Sequence, residues 1–357
     1  MAEKTNEYVI NADLFGAVGV LWAGNPSSIS PFRYGKVQAP GTAEKQALAK
    51  AGICDASGQI AAAIRPALDV LGTANAFTRM YLSGGQPPAE CIVYFAPGKI
   101  PVSLRNIGGE MQIGYPAASG AFMQMAAQAI GTSAYRSVPF DATLSHDEAV
   151  ALAGMIDVQR KQALRSLADE QTPVVADIGL GALGKTTSQK GEKSQWLASV
   201  LLDIISQDRV PEDRLLPALE SLVGKGFAVR NASSYRLGDE ALSLAHRMLV
   251  FDSALVLTAG HLGPGESFSV AGFTCLEAGI HDLLVIDAGV DSVHLQSVSS
   301  AGVLDSIQAY LTDVHMHEKL DAPAAENAGQ QTRKFCPQCG TAIQPGKKFC
   351  GSCGAKA

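Results

Sequence analysis

Alternating apolar and polar residues occupy two stretches of the chain that share one pattern. Residues 92–129 and residues 274–311 align at a constant offset of 182 residues (274 minus 92), although few residues are identical. In each stretch a strand-like run leads through a glycine-containing turn to two further alternating runs and then to an amphipathic segment. Alternation with a period of two predicts β-strands, whereas the last segment has the spacing of a helix. The pattern therefore predicts two antiparallel sheets, each closed by one helix.

The alignment pairs apolar residues that would lie in equivalent cores. The pairs are Leu104 with Ile286, Met111 with Val293, Ile113 with Leu295, Phe122 with Leu304 and Met125 with Ile307. We expect both members of the third and the fourth pair to be buried. The segments 106–110 and 287–291 should form exposed turns at matching corners of the two sheets.

Helices are predicted in the part of the chain that lies between the two copies. The first begins at a capping box that Ser145 forms with Glu148. A later one, in "SQWLASVLLDII", is expected to begin near residue 194 and to place Trp196, Val200 and Ile204 on one face.

Residues 212–248 read as a helix, two short alternating runs and a second helix, which is the order of elements in a winged helix-turn-helix. Pro217 is expected near a helix start. The first helix carries Glu212, Asp213 and Glu220 against Arg214. A DNA-reading helix needs cations that face the phosphates, so we interpret this segment as a packing module.

The segment "GLGALGKTT", residues 179–187, fits the phosphate-loop pattern and follows a β-branched run, "PVVADI". A phosphate loop must lead directly into a helix whose amides hold the phosphates. The polar residues after Thr187 do not predict such a helix, so we interpret Lys185 as a solvated loop lysine. Asp287, the candidate magnesium ligand, falls on a strand that the repeat assigns to the architecture. A nucleotide-dependent switch that uses Lys185 and Thr186 is the alternative hypothesis.

Four cysteines near the end of the chain form two C-x-x-C-G motifs. They are Cys336, Cys339, Cys350 and Cys353. The two-residue gap lets both thiolates of a motif face one tetrahedral cation, and four cysteine ligands define a closed, structural zinc site. The segment is similar to the zinc-ribbon tails found on many bacterial proteins. We interpret the other three cysteines, Cys54, Cys91 and Cys275, as small core residues.

These features predict an α+β fold with two quasi-repeated halves, antiparallel sheets and packing helices, a winged-helix-like segment and a C-terminal zinc ribbon. The predicted domains are a first half over residues 1–142 and a second half over residues 143–318. Residues 319–332 are rich in alanine and small polar residues, which is typical of a flexible linker, and residues 333–357 form the ribbon.

Composition adds a few limits to the class of protein. A formal net charge of -6 argues against nucleic acid as the main partner. The first residues carry no basic start typical of a signal peptide, and no apolar run is long enough to span a bilayer, so we expect a cytoplasmic protein. No Ser/His/Asp grouping or carboxylate pair stands out, and we expect no enzymatic activity.

The duplicated stretches, the helices that precede them and the segment "LESLVGKGFAVRNASSYRL" together resemble the EspG-type chaperones of the type VII (ESX) secretion system. The resemblance covers most of residues 40–315 as a pattern, and the zinc ribbon departs from it. It implies two quasi-equivalent α+β halves that hold an elongated helical secretion substrate in the cytoplasm. The expected function is therefore protein binding, through an exposed sheet or its protruding hairpin. A nucleic-acid-binding regulator that uses the winged-helix-like segment and the ribbon is a third hypothesis.

Overall fold

The computed structural model describes residues 5–33, 39–55, 57–84, 89–117, 119–131, 140–188, 195–263, 265, 267–279 and 282–312. The fold is α+β, as the sequence predicts, because antiparallel sheets pack against helices. The described chain forms two compact units. Unit 1 holds the described residues of 5–129, 255–272 and 304–312, and unit 2 holds those of 130–254 and 273–303. The linker and the zinc ribbon lie outside the described residues, and the boundary after residue 142 stays a prediction.

Unit 1 begins with a strand, then three helices, then four strands and a closing helix. The elements are β1 (Asn6–Asn11), α1 (Phe15–Trp22), α2 (Thr42–Lys50), α3 (Arg65–Thr73), β2 (Ala76–Ser83), β3 (Ala89–Phe95), β4 (Val102–Ile107), β5 (Glu110–Tyr115) and α4 (Ser119–Ile130). The strand order is β1-β5-β4-β3-β2, with antiparallel neighbours. One sheet face and the helices α1 and α3 share a core that includes Val18, Leu71, Leu104 and Ile113.

Unit 2 follows the same plan with a larger helical layer. Its elements are β6 (Asp141–Ser145), α5 (His146–Ala168), α6 (Leu180–Thr186), α7 (Leu197–Ile204), α8 (Glu212–Gly224), β7 (Ala228–Asn231), β8 (Ser234–Leu237), α9 (Asp239–Arg247), β11 (Asp282–Ala288) and β12 (Ser292–Val298). Ile130, the last residue of α4, belongs to unit 2, and three further elements give residues to both units: β9 (Phe251–Leu262), β10 (Phe268–Ala278) and α10 (Ser300–Thr312).

The strands of the two units share their order and the register of their ladders. The order β6-β12-β11-β10-β9 repeats that of unit 1. Ile92 pairs with Leu104 in the first copy, and Thr274 pairs with Ile286 in the second, which preserves the offset of 182 (274 minus 92). The next ladder preserves the same offset, because the pair of Leu104 with Ile113 corresponds to the pair of Ile286 with Leu295. Since a slip of one residue would send each side chain to the opposite face, this agreement confirms the predicted repeat.

The exposed turns lie where the repeat predicts them. Residues 106–110 are exposed, and Gly108 and Gly109 form a two-residue hairpin turn with φ of 60° and 86°. Positive φ at both central positions is the requirement of a type I′ turn, which glycine meets without strain. In the other sheet Asp287, Gly289, Val290 and Asp291 are exposed as well.

The closing helices correct the sequence alignment by one residue. Phe122 is buried, but Leu304, its predicted counterpart, is only partly buried. The buried apolar side chains on α4 are Phe122, Ala126 and Ile130, and those on α10 are Val303, Ile307 and Leu311. Their offset is 181 (303 minus 122). The strand-to-helix connection therefore differs by one residue between the copies, which rotates the helix that follows it.

The predicted capping box at the start of α5 is present. The Ser145 amide donates to Glu148 Oε2 at 2.7 Å, and the Glu148 amide donates to Ser145 Oγ at 3.3 Å. Glu148 also accepts hydrogen bonds from the hydroxyl of Ser221 on α8 and from Nζ of Lys225, the residue that follows α8, the latter at 2.8 Å. Burial alone would raise the pKa of Glu148, but these hydrogen bonds outweigh burial and lower the pKa to about 2. One carboxylate thus caps the start of α5 and holds α8 against it.

The winged-helix-like segment is present as α8, the β7–β8 hairpin and α9. The prediction that Pro217 lies near a helix start was wrong, because α8 begins at Glu212 and Pro217 lies inside it. Pro211 is the residue that precedes the first helical position. Burial of Leu215, Leu219 and neighbouring apolar residues keeps the helix continuous past the missing amide of Pro217.

A buried ion pair fixes the start of α7. Asp157 on α5 accepts the amides of Leu197 at 3.0 Å and Ala198 at 2.9 Å, which are the first amides of α7. Arg160 donates to Asp157 at 2.8 Å and to the carbonyls of Gln195 and Leu249. Desolvation raises the pKa of Asp157, against the lowering effect of Arg160 and the two amides. The pair thus supplies the helix cap that the local sequence lacks.

This cap explains why the predicted start of α7 was wrong. The helix begins at Leu197 rather than near residue 194, because Asp157 caps it there. Its fully buried residues are Leu197, Ala198, Ser199, Leu201 and Leu202. The residues of the predicted face, Trp196, Val200 and Ile204, are partly buried, and the last two pack against the same core. Trp196 instead packs under the cations of Arg160 and Lys161, with Lys161 Nζ 4.2 Å from the ring centroid.

The equivalence of the two sheets can be tested by truncation. Ile113 and Leu295 are fully buried at matching ladder positions, so Ile113→Ala and Leu295→Ala should each lower the free energy of unfolding by about 2 to 5 kcal/mol. Leu304→Ala, on the half-buried side of α10, should cost less than about 2 kcal/mol. Urea-induced unfolding followed by circular dichroism measures all three. A large loss at Leu304 with a small one at Leu295 would contradict the assignment of the core.

Candidate functional site

An open apolar groove lies on one face of the unit 1 sheet. It has a volume of about 540 Å³ and is bounded by residues of β2, β3, β9, the start of β10 and the segment before residue 31. The lining residues are Ser28, Ile29, Phe77, Arg79, Glu90, Ile92, Tyr94, Leu262 and Phe268. All of them belong to unit 1. The groove is therefore a feature of one compact unit.

Strand alternation turns these side chains toward the groove. Along β2 the even-numbered residues 76, 78, 80 and 82 are buried, so Phe77 and Arg79 lie on the opposite face. The ladder sets Phe77 beside Tyr94 and Arg79 beside Ile92 on β3. Because the alternation has a period of two, these residues form one continuous surface on neighbouring strands.

Aromatic rings contact one another in this surface. Phe77 stacks on Phe268 with ring centroids 6.3 Å apart and lies at the same distance from Tyr94. Gly260 on β9 allows this packing, because a Cβ there would lie 2.6 Å from Phe77 and 2.9 Å from Phe268. Half of Phe268 nonetheless stays exposed, together with 55% of Val270. Exposed apolar side chains clustered in this way are typical of a protein-interaction surface.

A charged pair interrupts the apolar floor. Arg79 Nε donates to Glu90 Oε1 across the β2–β3 ladder, and 49% of the Arg79 side chain and 29% of the Glu90 side chain are exposed. An exposed ion pair contributes little to stability, typically less than about 1 kcal/mol. The Arg79–Glu90 pair therefore affects which partners the groove can bind more than it affects the stability of the fold.

The phosphate-loop candidate is not a loop. Residues 180–186 form the helix α6, and the preceding "PVVADI" contributes one isolated bridge at Ile178 instead of a strand. Leu183 on α6 packs over Gly154 of α5, where an added Cβ would lie 2.7 Å from the Leu183 side chain. Lys185 is exposed on this helix, so the prediction of a loop lysine was right about exposure and wrong about structure. A helix over these residues does not present the loop amides that cradle phosphates.

The other nucleotide features are also absent from the described residues. The sheet around Asp287 is antiparallel, whereas a nucleotide-binding sheet is parallel with helical crossovers. No group of three or more His, Cys, Asp or Glu residues in the described part of the chain has a metal-binding arrangement. Cys54, Cys91 and Cys275 are buried, as predicted, and burial raises the pKa of Cys91 to about 12.

The cations of the winged-helix-like segment are engaged by acids. Arg236 on β8 donates to both carboxylate oxygens of Asp177, at 2.7 and 2.9 Å, and Arg236 lowers the pKa of that carboxyl. Arg230 lies 3.2 Å from Glu220, and Arg214 donates to Asp147. These arginines tie the hairpin and α8 to neighbouring elements, which agrees with the interpretation of this segment as a packing module.

Comparison with known proteins identifies one domain. Residues 335–357 match a zinc-ribbon domain, which agrees with the zinc-ribbon prediction made from the two C-x-x-C-G motifs. The four cysteines lie outside the described residues. The chain matches no curated protein. Among the described residues no helix is long and apolar enough to cross a membrane.

Sequence reasoning located the sheet but not its groove. The segment "AFTRMYLS" alternates, and its odd positions carry Phe77, Arg79 and Tyr81, a set that is unusual for a solvent-facing strand surface. These odd-numbered residues were the signal in the sequence that could have indicated the groove. Phe268 could not be joined to it, because only the folded sheet brings residue 268 next to residue 77.

The helix α6 yields a prediction about nucleotides. Isothermal titration of the unmodified protein with Mg-ATP and Mg-GTP should show no saturable binding, because residues 180–186 form a helix. The substitution Lys185→Ala should leave the thermal stability unchanged, because the Lys185 side chain is exposed. Micromolar binding that the substitution abolishes would restore the nucleotide-switch hypothesis.

Proposed function

We propose that this protein is a non-enzymatic adaptor or chaperone that binds an apolar helical segment of another protein in the unit 1 groove. The observation that carries the proposal is the half-exposed Phe268, stacked on Phe77 in the floor of an open cleft. Large apolar side chains held in contact and left open to solvent offer an anchor for a partner.

The position of the groove on a sheet face favours a helix as the bound element. β2 lies between β3 and β9, and β3 lies between β2 and β4. Their backbone groups are therefore used by ladders on both sides, and an extended peptide would find no free edge at the groove. A helix with an apolar stripe needs only side-chain contacts, in the way that α3 already packs on β3 and β4.

The resemblance to EspG-type chaperones supports the same class of partner. Two quasi-equivalent α+β halves with shared strand order and register are what that resemblance implies. We extend the proposal accordingly: the protein holds small helical secretion substrates in the cytoplasm, with no catalytic step. The nucleic-acid hypothesis gains no support from the described arginines, since those of the winged-helix-like segment are paired with acids.

The ribbon completes the proposal with one structural zinc ion. Cys336, Cys339, Cys350 and Cys353 would hold it, because four thiolates in two C-x-x-C-G motifs give the closed tetrahedral set that zinc prefers. The four ligands leave no open position for a substrate, so this zinc would stabilise the ribbon without taking part in a reaction.

The groove can be tested with one exposed aromatic residue. Phe268→Asp places a carboxylate on the apolar floor and should weaken binding of a helical partner by about tenfold or more, since an anchor residue is worth about 2 kcal/mol. The probe is a small helical protein encoded beside this gene, purified and titrated by calorimetry.

The matched control for this test is Val290→Asp, because Val290 is 91% exposed in a turn of unit 2 outside the groove. It adds the same charge and should bind as the unmodified protein does. Equal loss from both substitutions, or full binding by Phe268→Asp, would contradict the assignment of the groove.

The zinc assignment can be tested by metal analysis. One zinc per chain is expected, and Cys350→Ser should lose it while the melting temperature of the rest of the protein stays unchanged. The reason is the composition of residues 319–332, which is typical of a linker that transmits little strain. A protein without zinc, or a Cys350→Ser variant whose remaining fold melts early, would overturn this assignment.

A further inference from the structure

The charged pair on the groove floor carries an inference about which helices the groove selects. Resting on the proposed function, we propose that Arg79 is a specificity-determining residue, and that the docked helix carries a carboxylate beside its apolar stripe. The juxtaposition behind this proposal is a half-exposed arginine side chain that lines the groove together with Phe77, Ile92 and Phe268, in a lining that is otherwise mostly apolar.

A helix that covers this floor removes Arg79 from water. A guanidinium has five N–H donors and no acceptor. Glu90 receives one of them, from Nε, while 49% of the side chain remains exposed to solvent. Donors that lose water without a new acceptor cost binding free energy, so a partner with only apolar side chains would be penalised here.

A carboxylate is the group that best removes this penalty. It accepts two parallel N–H bonds from one guanidinium, and such charge-assisted pairs are stronger than neutral hydrogen bonds. A lysine on the bound helix would be less favourable than a carboxylate. Of the two residues of the Arg79–Glu90 ion pair, Glu90 alone could accept its hydrogen bond. The Glu90 side chain is less exposed than that of Arg79 and already accepts a hydrogen bond from Arg79 Nε. The geometry thus favours an acidic residue at the edge of the stripe.

The charge swap Arg79→Glu with Glu90→Arg tests the proposal while retaining an internal ion pair. The probes are three synthetic amphipathic helices with leucines at helical spacing, identical except for Glu, Gln or Lys beside the leucine stripe. Fluorescence anisotropy at low and at moderate salt gives their dissociation constants. The unmodified protein should bind the Glu peptide roughly fivefold or more tightly than the Lys peptide, and salt should reduce the difference.

The swapped protein should invert this preference, and Arg79→Gln should abolish it. Circular dichroism and thermal melting check that both variants fold, and Arg79→Gln provides the second test if the swap does not fold. Equal binding of the Glu and Lys peptides by the unmodified protein would overturn the proposal, as would an unchanged preference after the swap.

The same titrations separate this inference from the proposed function. If all three peptides bind equally and Phe268→Asp removes the binding, the groove is the binding site but Arg79 does not determine its specificity. If no peptide binds the unmodified protein, the groove itself is wrong and the inference falls with it.

Discussion

The register of the antiparallel ladders is the constraint on which the unit 1 groove depends. It sets Phe77 beside Tyr94 and Arg79 beside Ile92, and it sends the alternate residues of β2 into the core. A slip of one residue would bury Arg79 and expose Met80, so neither the core nor the groove would survive it. Because both neighbours of β2 use its backbone groups, the exposed face has only side chains with which to bind a partner.

The two units show how one register supports different surfaces. Arg105 in unit 1 and Asp287 in unit 2 occupy matching strand positions, but Arg105 donates to Glu7 whereas Asp287 lies opposite His294. The layers of helices differ more: unit 2 adds a winged-helix-like segment, which Glu148 fastens to the start of α5, and the buried Asp157–Arg160 pair holds the start of α7 against α5. A duplicated sheet thus keeps its core positions while its polar positions and helical layer diverge.

The sequence predicts those features that local alternation controls. The strands, their repeat and the burial of Ile113 and Leu295 follow from apolar residues at a period of two, which the folded sheet preserves. The predictions were wrong where contacts with residues distant in the sequence determine the local structure. Leu183 over Gly154 makes residues 180–186 a helix, and Asp157 sets the start of α7 from 40 residues away. The groove needs Phe77 and Phe268 together, a contact that no local pattern contains.

The central claim, that a helical partner occupies the groove, is tested most directly by site-specific photocrosslinking in cells. A benzophenone amino acid replaces Tyr81, whose side chain lies on the groove side of β2 and is 36% exposed, and in a separate variant it replaces Val290. Irradiation followed by mass spectrometry of the adducts identifies what each position contacts. The account predicts an adduct from position 81 to the apolar stripe of a helix in another protein, and none from position 290. Adducts from position 290 with none from position 81 would contradict it.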